Sequence, residues 1–241
     1  MRTPLLTLAL ALAACQSTTP PPEPVVDAGL TYVELLGAQD PPEIDAETLA
    51  EVRAGHFSNM AVMARERDLL LAGPVGEPLP VEGQQGIYIF DEADVERALE
   101  SAHTDPAYLA GLMEVRAHAL RGEAALRALP ELEAEAIESG AASGRLYTLA
   151  LVDEDVCLPG LREEGRILFE GVLGGEHAGT RLLLLDYAQL PSAIHALASR
   201  VEPERRSLSP LWTSVDLERV PAEGAERGYA YGRTRSSSTE E

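Results

Sequence analysis

Two stretches of this 241-residue chain carry the same succession of apolar runs, and that repetition restricts the fold more than any other feature. TYVELLG (31–37) matches LYTLALV (146–152), and DLLLAGP (68–74) matches RILFEGV (166–172). Further on, IYIFDEADVERALESA (87–102) matches LLLLDYAQLPSAIHAL (182–197), and TDP (104–106) matches VEP (201–203). The first copy reads as a strand from Leu30, a turn at Asp40-Pro41-Pro42, a helix from about Ala46 to Arg67 capped by Asp45, and a short strand over 68–72. A Gly- and Pro-rich loop then leads to a strand at 87–90, a helix over 91–102, a helical turn opened by Asp105-Pro106 and a last strand at 112–120. Strand, helix, strand, strand, helix, strand is the order of a ferredoxin-like α+β unit.

The copies differ in one place. Tyr32 to Gly73 spans 41 positions and Tyr147 to Gly171 spans 24, so the second copy is 17 residues shorter where the first has its long helix. The expected organisation is a first unit over 30–120, a helical connector over 121–144 interrupted by Pro130, and a degenerate repeat over 145–220. The repeat reads as an internal duplication. A tail over 221–241 lacks apolar periodicity and is expected to be disordered.

The N-terminus reads as an export signal. Arg2 precedes an apolar run from Leu5 to Ala14, too short to span a bilayer, and Leu12-Ala13-Ala14-Cys15 resembles the bacterial lipoprotein signal, which implies lipidation of Cys15. Residues 1–14 would be the signal peptide and 15–29, rich in Pro, Ser and Thr, a tether. The expected location is the cell envelope, on the periplasmic face of the outer membrane. The net charge of −21, from 40 acidic residues against 19 arginines and no lysine, argues against a nucleic-acid partner and against electrostatic attachment to lipid. With only Cys15 and Cys157 there is no disulfide framework, and acidic neighbours of Cys157 disfavour its thiolate.

On the first helix Leu49, Val52, His56, Met60 and Met63 recur at helical spacing, so the imidazole of His56 points toward the sheet. His56, the LLLAGP turn, FDEADVERAL and the Asp105-Pro106 pair together resemble the YCII-related family over about residues 30–120. That resemblance implies a dimeric α+β barrel fold, here expected to form as an intramolecular α+β barrel from the two halves of one chain, leaving the protein monomeric. It also implies a His/Asp active site at His56 and Asp105, for which proton-transfer chemistry on a small organic molecule is the expected use. An imidazole beside a carboxylate is the minimal unit for such chemistry. The alternative readings are a core histidine and an N-cap aspartate, in an envelope protein that binds a ligand or partner without catalysis.

No cofactor and no metal are expected. His103 lies near Asp105 in sequence but has no third ligand beside it, and His118, His177 and His195 look scattered. Tyr32, Tyr88 and Tyr108 are candidates to line a pocket near His56. No glycine-rich phosphate loop, GxSxG elbow or HExxH stands in the chain.

Overall fold

Several strands carry apolar residues on both faces, which a sheet tolerates only where both are covered. In β1 (Val26–Gly37), Leu30, Tyr32 and Leu36 alternate with Val33 and Leu35, and all five are buried. The computed structural model, which describes residues 26–140, 144–213 and 217–222, accounts for this by closing eight antiparallel strands into a barrel-like sheet with helices outside. After β1 come α1 (Ala46–Glu66), β2 (Leu69–Pro74), β3 (Gln84–Phe90), α2 (Val95–Ala102), α3 (Pro106–Leu109) and β4 (Met113–Glu123). A 3-10 turn and α4 (Leu129–Ser139) lead to β5 (Arg145–Asp153), α5 (Pro159–Glu163), β6 (Ile167–Leu173), β7 (Thr180–Leu185), α6 (Leu190–Ala198) and β8 (Arg206–Thr213). The fold class is α+β.

The strand order is β2-β3-β1-β4-β6-β7-β5-β8, so residues 26–123 and 145–213 each contribute four strands in the same relative arrangement. Two seams join the sets. At one, Leu120, Arg121 and Gly122 of β4 pair with Leu173, Val172 and Gly171 of β6. At the other, β2 meets β8 through the Val75–Leu211 bridge, and the sheet nearly closes. The seams correspond bond for bond: Gly174 N donates to Ala119 O at 2.8 Å, and Gly76 N to Pro210 O at 2.8 Å. Gly73 permits the second approach, since a Cβ there would stand 2.2 Å from the Trp212 carbonyl oxygen.

The barrel interior is filled by Leu30, Tyr32, Ile87, Ile89, Leu120, Leu149, Phe169, Leu182, Leu184 and Leu211. The connector joins this core instead of crossing solvent: Leu126, Ala128 and Leu129 are fully buried in it, and Leu132 nearly so. Pro130 stands in the first turn of α4, where its missing N–H costs nothing, and the connector is divided there between a 3-10 turn and α4. Leu217 and Val220 close the same core from the C-terminal side. Outside, Met63, Tyr88, Phe90, Ala98 and Ala102 pack between the first-half sheet and its helices, and Leu161, Leu183, Leu185 and Leu197 do so in the second half.

The register corrects the alignment of the first strands. Thr31 pairs with Phe90 and Thr148 with Leu185, and their hydroxyls donate to Glu92 O and Tyr187 O at 2.7 and 2.9 Å. Thr31 therefore corresponds to Thr148, and Tyr32 to Leu149 rather than to Tyr147. From Tyr32 to Gly73 is 41 positions and from Leu149 to Gly171 is 22, so the second copy is shorter by 19 residues there, not 17. The five-residue α5 stands in place of the 21-residue α1. Alternating apolar residues allow a slip by two without any change in hydrophobic pattern, which is why the sequence did not resolve it. β1 also begins at Val26, inside the expected tether, and α2 starts after Asp94, which caps it, instead of at Asp91. Cys15 and the 221–241 tail beyond Ala222 lie outside the described residues. Among the described residues no helix is long and apolar enough to cross a membrane.

Candidate functional site

Asp105 is the centre of the site because its carboxylate does two jobs at once. As N-cap of α3, its Oδ1 accepts from Ala107 N at 2.8 Å, with Pro106 next in the chain fixing the backbone for the helical turn. Its Oδ2 lies 2.8 Å from His56 Nδ1 and accepts the Tyr88 hydroxyl at 2.8 Å. The side chain is 0% exposed, so three partners replace the water it has lost. Burial, then the charge of Asp105 and the hydrogen bond to it, raise the Tyr88 phenol far above its ordinary value. Tyr88 thus stays protonated and donates.

His56 reaches this carboxylate from the middle of α1. The helix is capped by Asp45, whose side chain accepts from Thr48 N, and it buries fully only Met63. It is seated on α3 by close approach, since a Cβ on Gly55 would lie 3.0 Å from Pro106 Cγ, and by Asn59 Nδ2 donating to Thr104 Oγ1 at 3.3 Å. With Oδ2 as acceptor, Nδ1 of His56 carries the proton and Nε2 is the nitrogen able to exchange one. The ring is 23% exposed, so part of it meets solvent. This arrangement can hold an imidazole in one tautomer and stabilise its imidazolium.

The other candidates separate. Tyr88 belongs to the site; the sequence pointed to it only as a possible pocket wall. Tyr32 does not, because it faces the barrel interior, where Gln84 Nε2 donates to its hydroxyl at 2.9 Å. Tyr108 stacks on His103 with ring centroids 4.3 Å apart. His195 and Cys157 are exposed. A cavity of about 250 Å³ lies at the C-terminal end of α1, lined in part by Glu66, Arg67, Asp68, Glu92 and Arg97, and does not include His56 or Asp105.

His118 and His177 are not scattered. His177 Nε2 is 2.9 Å from Glu34 Oε1, His118 Nε2 is 3.6 Å from Glu34 Oε2, and the two rings are 4.4 Å apart. Burial acts against the charge of Glu34, but the two imidazoles outweigh it and hold the carboxyl below its ordinary value. In sequence the only signal was a glutamate in the middle of an apolar strand.

No family model matches this chain, and no curated protein does. A solved structure of a candidate monooxygenase from Lactobacillus acidophilus is similar at 9% identity and a TM-score of 0.36, over 78% of this chain and 95% of that one.

Proposed function

We propose that the chain is a lipid-anchored envelope protein built of two tandem ferredoxin-like units, the second degenerate, with a YCII-related His/Asp site in the first. In this reading His56 is the general acid/base and Asp105 orients it, with no cofactor. Nε2 takes a proton from a small organic substrate, Asp105 stabilises the imidazolium, and the proton returns to the product in a lyase, isomerase or hydrolytic step. Tyr88 is a positioning residue that holds the carboxylate. The observation that carries the reading is the 2.8 Å contact between His56 Nδ1 and a fully buried carboxylate, which also supports the resemblance seen in the sequence.

The test is turnover of a panel of lactones, halogenated acids and unsaturated acids by the full chain beside His56→Ala. Loss of general acid–base catalysis should lower the rate by about 10²–10⁴. A rate unchanged by His56→Ala removes His56 from the chemistry. Lipidation is tested separately, since Cys15→Ser should release the protein to the soluble fraction or leave it unprocessed, and normal processing with normal membrane retention refutes the anchor. A second reading, binding without catalysis, is favoured by Phe57 and Leu109, which are 65% and 71% exposed on the two helices that carry the site. Under that reading Phe57→Ala weakens ligand or partner binding, and no turnover is found.

A further inference from the structure

Among the described residues, the barrel interior holds the carboxylate of Glu34 among leucines. Glu34 is 1% exposed on the inward side of β1, and by strand register its counterpart in the second half is Leu151, a member of the interior core. His118 on β4 has as counterpart Ser209 on β8, opposite Leu149 as His118 is opposite Tyr32. The same framework thus accepts an apolar and a small side chain at these two places. Burying a carboxylate and two imidazoles there costs free energy that packing does not require.

Three separate elements bring the groups together. Glu34 comes from β1, His118 from β4, and His177 from the β6–β7 connection, which the Gly174–Ala119 hydrogen bond pins over β4. His177 Nε2 lies 2.9 Å from one oxygen of Glu34. His118 Nε2, on a side chain 5% exposed, has no hydrogen-bond partner among the described residues and faces the other oxygen at 3.6 Å. One ligand atom from each residue falls within 4.8 Å of the other two. Nitrogen and oxygen ligands on a shared ion at roughly 2.0–2.2 Å stand about 3–3.5 Å apart, so shifts of about 1 Å in the side chains complete a coordination shell.

We propose that Glu34, His118 and His177 form a binding site for a divalent first-row transition ion of the zinc class. Two neutral imidazoles and one carboxylate are borderline donors, suited to such ions, whereas Ca²⁺ and Mg²⁺ take oxygen ligands. Three protein ligands leave at least one position of a tetrahedral ion for water or an exogenous donor. His177, with its side chain 25% exposed, is the side from which ion and water enter. The site is independent of His56 and Asp105, which lie on the helix-covered face of the same sheet.

The test is calorimetric titration of the chelator-stripped full chain with Zn²⁺ alone, with Ca²⁺ as competitor and thermal melting in parallel. One Zn²⁺ per chain is expected, with a rise in Tm. His177→Ala and Glu34→Leu, the latter borrowing the residue of the other half, should each weaken binding at least about a hundredfold, because even the outer partners of metal ligands cost 10–100-fold. His177→Ala, on a partly exposed turn, should leave the metal-free Tm unchanged. If Glu34→Leu does not fold, His118→Ser takes its place. No binding to the wild type, binding undiminished in both variants, or equal competition by Ca²⁺ overturns the assignment.

Discussion

The two halves share a sheet and differ in what they lay on it. In the first, α1 supplies His56, α3 is capped by Asp105 and β3 supplies Tyr88. In the second, α5 has no equivalent histidine, and the 3-10 turn over Pro203–Arg205 follows an exposed Glu202 that makes no capping bond. The counterpart of Tyr88 is Leu183, which is fully buried in an apolar cluster. All three members of the site are therefore missing together. What both halves keep is the aspartate after the third strand with arginine partners: Asp91 with Arg127, and Asp186 with Arg145 and Arg166. The same strand order forms without the polar site in the second half, so the site is not needed to build the sheet, although its buried carboxylate stabilises the half that holds it.

The largest break in this contrast should come from Asp105→Ala. It leaves Tyr88 and His56 without their acceptor and uncaps α3, and we expect a loss of about 3–4 kcal/mol in urea unfolding. The matching Glu202→Ala, at an exposed position, should change stability by about 0.5 kcal/mol or less. Equal losses would mean that Asp105 is no more than a surface cap.

Next come the seams. Gly73→Ala sets a Cβ against the Trp212 backbone and should cost about 2–3 kcal/mol, whereas at Gly171 the nearest obstacle is the Leu120 side chain at 2.6 Å, with the Arg121 carbonyl at 3.0 Å. Gly171→Ala should therefore cost about 1–2 kcal/mol, and the reverse order would show that the β4–β6 seam is the less adaptable one.

Within the site a smaller effect is expected from Tyr88→Phe, about 1 kcal/mol near neutral pH. Its signature is in pH. The folded state holds the Tyr88 proton more tightly than the unfolded chain, so this stabilisation is complete below the ordinary tyrosine value of about 10 and is lost as pH rises beyond it. Wild-type stability should fall more steeply than that of Tyr88→Phe in alkaline urea titrations; parallel curves would refute the assignment.

Element order was legible because the short apolar runs, Asp45 and the Asp105-Pro106 pair are local signals. The His56–Asp105 pair came from the resemblance to the YCII-related family, since helical spacing alone only turns His56 inward, as it would a core histidine, and Asp105 alone reads as an N-cap. Tyr88 gained its role only through the β3 register, which directs it to the helix side. The Glu34, His118 and His177 group left a single trace in the sequence, the glutamate inside an apolar strand. Glu34 and His177 are 143 positions apart, and only β1–β4 pairing plus the fold of the β6–β7 connection join them. The slip of two in the repeat has a similar cause, since either register keeps the same alternation.

One consequence follows from the connector whose Leu126, Ala128 and Leu129 are buried inside the barrel. A segment that both links the halves and fills their common interior makes their meeting a first-order event, with an effective concentration on the order of millimolar set by the chain itself. Barrels assembled from two separate subunits open on dilution. This one is expected to stay closed at any protein concentration, so its unfolding midpoint should be the same across a wide dilution series.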